Sequence, residues 1–120
     1  MPDDELAILA DATKGLLYPS ESDTPFEPFR RPSTEQDPLK TVLALRGKSG
    51  PVTEQTAAEF FAELEDGNDA ARFKKLHTLL TTTLSNLRVF RIGEVEVDIY
   101  LIGKIKAGEW CGLRTKSVET

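Results

Sequence analysis

The clearest structural pattern of this chain lies in the stretch Val89-Phe-Arg-Ile-Gly-Glu-Val-Glu-Val-Asp-Ile-Tyr-Leu-Ile-Gly103. Around Gly93, apolar residues alternate with charged ones, which is the period of two that a half-buried β-strand requires. The stretch and its continuation predict three strands, over residues 88–92, 94–104 and 109–116. Gly93 and the segment Lys106-Ala107-Gly108 separate them. Connections this short are typical of an antiparallel meander with tight turns.

Three helices are predicted before these strands. Apolar residues from Leu6 to Leu17 follow helical spacing, and Gly15 helps to end that helix. A second helix is predicted through residues 57–64, with Thr53 as its N-cap. The third carries the longest amphipathic stripe of the chain, formed by Phe73, Leu76, Leu80, Leu84 and Leu87.

Two further segments complete the expected organisation. Residues 39–45 alternate in polarity and predict a first strand. Residues 18–38 hold five of the seven prolines and predict a long irregular loop, because proline fixes φ and lacks a donor. We expect Phe26 and Phe29 to pin this loop to the core and its acidic tip to stay in water. The expected fold class is therefore α+β, an antiparallel sheet packed with helices, in a single domain over residues 1–120.

Composition narrows the class of protein. The chain has 120 residues, 39% of them hydrophobic, and one cysteine, Cys111, so that no intrachain disulfide is expected. The start Met1-Pro-Asp-Asp-Glu5 lacks the basic and apolar regions of a signal peptide. No apolar run approaches the roughly 18 residues that suggest a membrane span. We expect a cytoplasmic protein that does not associate with membranes.

The acidic residues are concentrated in the first third of the chain. Residues 1–37 carry nine acids and three bases, whereas the remainder carries eleven acids and twelve bases, and the net charge is −5. Direct nucleic-acid binding is disfavoured, because neutralising phosphates needs a clustered positive face. An acidic face suits a basic protein partner instead.

Residue types that carry catalysis are scarce. His77 falls at the edge of an apolar helical stripe, and Cys111 lies in a strand without a cysteine or histidine partner nearby, so both are interpreted as structural. Glu94, Glu96 and Asp98 share one strand face, but alternation with apolar residues is the usual pattern of a solvated face. The sequence therefore predicts no enzyme activity, no cofactor and no metal of its own.

The chain ends in Val118-Glu119-Thr120, directly after a predicted strand. A terminal threonine offers a hydroxyl and two carboxylate oxygens, and Mg²⁺ and Ca²⁺ prefer oxygen ligands of this kind. The terminus is thus a candidate plug for the metal site of a partner. The alternative is that the chain simply stops after its last strand.

Four stretches resemble one family of proteins. They are residues 15–27, with Ser20-Glu-Ser22 followed by Pro25-Phe-Glu27; residues 89–103; Ala107-Gly108 with residues 112–116; and residues 118–120. Over Leu6 to Thr120 the chain resembles the nuclease A inhibitor family, which blocks sugar-non-specific, metal-dependent nucleases. The resemblance implies a protein inhibitor of such a nuclease, and we expect the free protein to be a monomer. It also implies an α-β-α sandwich similar to the pathogenesis-related-1-like fold.

The resemblance also implies the contact residues. A glutamate of the Ser-Glu-Ser segment and the terminal threonine are the family's contacts with the nuclease active site, and they match Glu21 and Thr120. Thr120 is then expected to ligate the catalytic Mg²⁺ of the nuclease. The neighbouring residues expected at the interface are Ser20, Ser22, Asp23 and Glu119.

One segment departs from the family. The family inhibitor has a longer loop between its second and third helices, with a glutamine and a tryptophan that contact the nuclease. Here the corresponding segment, Glu63-Leu-Glu-Asp-Gly-Asn-Asp69, has no tryptophan. Trp110 is either a substitute anchor for a partner or a residue packed on its own sheet. The missing anchor leaves open an interaction module on the same scaffold with a different, non-nuclease partner.

Overall fold

A computed structural model describes residues 4–18, 24–31, 38–47, 50–64, 70–94, 96–105 and 108–118. In chain order the elements are α1 (Asp4–Ala12), β1 (Leu17–Tyr18), β2 (Thr24–Pro25), β3 (Glu27–Arg31), α2 (Pro38–Arg46), β4 (Val52–Gln55), α3 (Ala57–Leu64), α4 (Ala70–Thr83), β5 (Ser85–Ile92), β6 (Glu96–Lys104) and β7 (Trp110–Val118).

The main sheet has the order β3-β7-β6-β5-β4, and every pair of neighbours is antiparallel. β1 and β2 form a separate two-stranded sheet. The predicted meander of three strands is confirmed by β5, β6 and β7. β6 and β7 pair along their whole length, from Glu96↔Val118 to Lys104↔Trp110. In the main sheet this pair has β3 on one side and β5 and β4 on the other.

The alternation of β6 distributes its residues between two cores. Val97, Ile99 and Leu101 join the larger core, to which α1, α3 and α4 also contribute. Tyr100 and Ile102 join the smaller core under α2. Helices therefore pack on both sides of an antiparallel sheet, which confirms the α+β class. The closer likeness to the pathogenesis-related-1-like fold stays a prediction.

The predicted strand over residues 39–45 is wrong, because these residues lie in α2. Leu39, Val42 and Leu43 stand at helical spacing and pack on the smaller core. α2 ends at Arg46, and Gly47 follows with φ of 76°. The strand pattern and the helical spacing share Leu39 and Leu43, and packing on the sheet selects the helix, which adds Val42 to the buried face.

The prediction of a wholly irregular loop over residues 18–38 is also wrong, since this segment holds β2 and β3. β3 is an edge strand, where the missing N–H of Pro28 is tolerated. Phe26 is buried in the larger core and Phe29 packs against the smaller one, as predicted.

The predicted cap of the second helix is displaced by three residues. Thr53 lies in β4, and Thr56 caps α3 instead. The amide of Glu59 donates to Thr56 Oγ1 over 3.1 Å, and the amide of Thr56 donates to Glu59 Oε1 over 3.0 Å. This reciprocal pair is a capping box. At the end of α4 the helix stops at Thr83, so Leu87 of the predicted stripe belongs to β5.

Candidate protein-interaction site

Most of the predicted contact residues lie outside the described residues. These are Ser20, Glu21, Ser22, Asp23, Glu119 and Thr120. The structure does describe Trp110 and the residues that flank both segments, namely Tyr18, Thr24 and Val118. The site is therefore built from these flanking residues.

The segment Pro19–Asp23 is flanked by two paired strands. Tyr18 pairs with Thr24, and Leu17 pairs with Pro25, in antiparallel register. The two residues that flank residues 19–23 are thus paired neighbours. We call this pair of strands, β1 and β2, the hairpin root.

Aromatic rings fix the hairpin root to the helices. The Tyr18 ring meets the Phe26 ring edge-on at 6.3 Å between centroids and stacks on Phe60 of α3 at 5.7 Å. Phe26 contacts Phe73 of α4 at 6.1 Å. Tyr18 and Phe26 are each only 6% exposed. Because close-packed interiors resist displacement, the hairpin root is a rigid support for the segment that it flanks.

A buried hydroxyl connects the hairpin root to β7. Thr115 Oγ1 donates to the carbonyl oxygen of Pro25 over 3.2 Å and lies 3.4 Å from that of Thr24. Thr115 is 3% exposed and stands three residues before Val118, at the end of β7. The structure therefore brings together the flanks of the two segments that sequence analysis singles out separately.

A polar cleft of about 190 Å³ lies beside this junction. It is lined by Thr24, Pro25, Glu27, Asp98, Arg114, Thr115 and Lys116. Arg46 Nε donates to Asp98 Oδ2 over 2.7 Å, which ties the end of α2 to β6. Burial raises the pKa of Tyr100, whereas the charge of Arg114 lowers it. The lining of the cleft thus contains both hydrogen-bond donors and acceptors.

The residues considered for catalysis have structural surroundings. His77 stacks on Phe61 with 4.8 Å between ring centroids. Cys111 is fully buried in the larger core. Asp98 is occupied by the ion pair with Arg46. Within the described residues, no group of three or more histidine, cysteine, aspartate or glutamate side chains is arranged to hold a metal ion.

Trp110 is buried rather than exposed. Its side chain is 3% accessible and packs in the smaller core with residues of α2, β5 and β6. Lys104 Nζ lies over the ring at 5.0 Å from the centroid. This is the geometry of a tryptophan packed on its own sheet, which was one of the two alternatives left open by the sequence.

Sequence reasoning missed Leu17 and Thr115. Leu17 is 40% exposed at the hairpin root, opposite the exposed Pro25. Thr115 had a signal in the sequence, because it continues the core-facing alternation of Cys111 and Leu113 in β7 with a polar residue. A buried hydroxyl at such a position needs a hydrogen-bond partner.

The described geometry is that of an α+β domain in which a hydrogen bond joins the flanks of two chain segments, one on β2 and one on β7. The family model of the Nuclease A inhibitor-like protein matches residues 4–120, and the chain belongs to this family. No curated relative matches the sequence significantly. The family suggests an inhibitor whose partner is another protein, such as a nuclease. Within the described part of the chain, no helix is both long enough and apolar enough to cross a membrane.

Proposed function

We propose that this protein inhibits a sugar-non-specific, Mg²⁺-dependent nuclease by placing Glu21 and Thr120 in the nuclease active site. The family assignment supports an inhibitor role. The observation that carries the proposal is the hydrogen bond between Thr115 of β7 and the hairpin root, with 3.2 Å between Thr115 Oγ1 and the Pro25 oxygen. This contact holds the flanks of the two segments on one side of the molecule, where a single nuclease cleft can receive both.

The chemistry of the two residues is complementary. The carboxylate of Glu21 takes the place of a phosphate oxygen of the substrate, while Thr120 contributes oxygen ligands to the catalytic metal of the nuclease. Mg²⁺ prefers octahedral oxygen coordination and keeps exchangeable waters, which such oxygens can replace. Inhibition follows because neither group has a phosphodiester bond to cleave. The metal belongs to the nuclease, so the inhibitor needs no cofactor.

The hairpin root lowers the cost of binding. Immobilising a flexible side chain at an interface costs about 0.5–1.5 kcal/mol, and a support that is already ordered avoids part of this cost. The rings of Tyr18 and Phe26 provide that support. The acids in the first third of the chain, with Ser20, Ser22, Asp23 and Glu119 beside the two main contacts, favour approach to a basic cleft.

Trp110 is not part of the proposed interface. At 3% exposure its indole offers a partner almost no surface. The proposal therefore assigns the binding energy to the two segments and the polar cleft between their flanks.

The test is a titration of the protein into a Mg²⁺-dependent, sugar-non-specific nuclease, with residual DNA cleavage as the readout. Four proteins are compared: the full chain, the chain without Thr120, Glu21→Gln, and Glu54→Gln as a control. Glu54 carries the same charge, but it lies on β4 at the opposite edge of the sheet from β3. Its ion pair with Arg88 is exposed, and such pairs contribute little to stability.

We expect the full chain and Glu54→Gln to inhibit stoichiometrically. Removal of Thr120 should abolish inhibition, and Glu21→Gln should weaken it at least about tenfold, or about 1.4 kcal/mol. Equal inhibition by all four proteins would contradict the roles given to the two residues. No inhibition by the full chain at micromolar excess would contradict the proposed function itself.

A second candidate is a protein-interaction module with a non-nuclease partner. It is favoured by the absence of tryptophan from residues 63–69 together with the burial of Trp110, because no described tryptophan is then exposed as an anchor. An aromatic anchor commonly supplies about 2 kcal/mol or more of binding energy. A folded protein that fails the nuclease titration would support this candidate.

A further inference from the structure

Thr115 stands at an unusual position for a polar residue. It lies on the side of β7 that faces the larger core, and 3% of its surface is exposed. Its backbone pairs with Ile99 of β6, in the centre of the sheet. A buried hydroxyl without a partner is costly, so its orientation is set by the acceptors it finds. Here the acceptors are the carbonyl oxygens of Pro25 and Thr24, at 3.2 and 3.4 Å.

The two acceptors belong to β2, directly after the segment that holds Glu21. β7, which carries the donor, continues to Val118, directly before Glu119. One hydroxyl thus joins the flank of the first contact segment to the strand that leads into the second. A valine at this position would keep the shape and the β-branch of threonine but would lose the donor.

We propose that Thr115 is a positioning residue, whose hydroxyl couples the hairpin root to β7 so that Glu21 and Thr120 engage the partner as one unit. This inference rests on the proposed function and deepens it. Thr115 itself is buried and does not touch the nuclease. Its effect on inhibition is transmitted through the carbonyl groups of β2.

The experiment compares Thr115→Val, Thr115→Ser and Thr41→Val in the nuclease titration. Thr41→Val is the matched control, because Thr41 is also a buried threonine, 7% exposed, but lies on α2 over the other face of the sheet. We expect Thr115→Val to weaken inhibition about tenfold, or about 1.4 kcal/mol. Thr115→Ser keeps the hydroxyl and should inhibit to within about twofold of the full chain. A twofold change is about 0.4 kcal/mol, which is the usual scatter when the effects of independent substitutions are compared. Thr41→Val should inhibit normally even where it lowers the melting temperature.

A double-mutant cycle separates positioning from simple destabilisation. Thr115→Val is combined with Glu21→Gln, and inhibition constants are compared at a temperature where all variants are folded. If Thr115 positions Glu21, its substitution should cost much less once the carboxylate is gone. Additive effects, unchanged inhibition by Thr115→Val, or failure of Thr115→Ser to restore inhibition would each overturn the proposal.

A readout without the partner distinguishes this proposal from the proposed function. Backbone amide NMR spectra of the free Thr115→Val protein should show shifts both at residues 20–24 and at residues 118–120, whereas Thr115→Ser should leave both sets close to the original. Shifts confined to the immediate neighbours of residue 115 would overturn the coupling. If the coupling is seen but the full chain does not inhibit, the proposed function fails and the role of Thr115 in inhibition fails with it, while the coupling of the hairpin root to β7 stands.

Discussion

Replacing Trp110 by phenylalanine tests whether this residue stabilises the fold or binds a partner. Trp110 is 3% exposed and packs in the smaller core, with Lys104 Nζ 5.0 Å from the ring centroid. Truncation of a buried tryptophan to alanine costs about 3–5 kcal/mol, and Trp110→Phe, which keeps one ring, should cost about 1–2 kcal/mol. For a domain of 120 residues, 1 kcal/mol corresponds to a shift of about 4 °C in the melting temperature. We therefore expect a decrease of about 4–8 °C.

The assay has two parts. Circular dichroism gives the melting temperature, and the nuclease titration gives the inhibition constant at a temperature where the variant is fully folded. If Trp110 is a core residue, its substitution should lower the melting temperature and leave the inhibition constant unchanged. The chain has a single tryptophan, so that a fluorinated tryptophan label reports on position 110 alone. Its ¹⁹F resonance should move little when an unlabelled nuclease is added.

The opposite pattern would contradict a structural role for Trp110. A melting temperature unchanged within about 1 °C, or about 0.25 kcal/mol, together with tenfold weaker inhibition, would place Trp110 at the interface. A large ¹⁹F shift on complex formation would point the same way. The indole would then have to leave the smaller core on binding.

Three further predictions concern stability. Thr56→Ala or Glu59→Ala removes half of the capping box of α3 and should each cost about 1 kcal/mol in thermal unfolding, with the double variant costing less than the sum. Gly15→Ala should lower the free energy of unfolding by roughly 1 kcal/mol, because the site has open space and only its φ of 74° opposes the change. Gly112→Ala should lower it by several times as much, because a Cβ at Gly112 overlaps the backbone of β6. Chemical denaturation of both variants measures the difference. Burial raises the pKa of Tyr100 above 10.0, so the folded state favours the neutral phenol. The free energy of unfolding is therefore unaffected by the ionisation of Tyr100 below pH 10 and decreases as the pH rises towards the pKa of the folded state. In denaturant titrations, Tyr100→Phe should remove the part of this decrease that comes from Tyr100.

The strands of the meander were predictable because their signals are local. Around Gly93 the period of two persists over a long stretch, and a glycine marks the turn with φ of 123°. β6 begins at Glu96 and β7 runs to Val118, so the predicted strands differ from the observed ones only near their ends. Hydrogen bonding between consecutive strands then follows from short connections.

α2 was not predictable from alternation alone. Over seven residues, a strand pattern and a helical pattern can share part of their apolar positions, here Leu39 and Leu43, and nothing in the segment itself decides between them. The decision is made by tertiary packing, since on the helix Val42 is fully buried against the smaller core. The burial of Phe90 and Tyr100 beneath α2 depends on the same choice.

β3 was missed for a different reason. Its partner in the sheet is β7, and the contact between Arg30 and Glu109 spans 79 positions of the sequence. No local pattern encodes a pairing of this kind, and the prolines of the segment argue against a strand. The prolines are compatible with a strand here because β3 lies at the edge of the sheet, where a strand tolerates the missing N–H of Pro28.

The candidate site shows the same division between local and distant information. Resemblance to a family supplied Glu21 and Thr120 as contacts with one nuclease active site, but it did not show what in the fold connects their flanks. The core-facing alternation of β7 indicates that Thr115 is buried, yet its acceptor on Pro25 lies 90 positions away in sequence. That contact joins β7 to β2 and involves no residue of either contact segment. Binding of a partner that engages both segments consequently depends on the hydrogen bond that joins the hairpin root to β7. Loss of inhibition by Thr115→Val, in which both Glu21 and Thr120 are kept, is the outcome that would reveal this dependence.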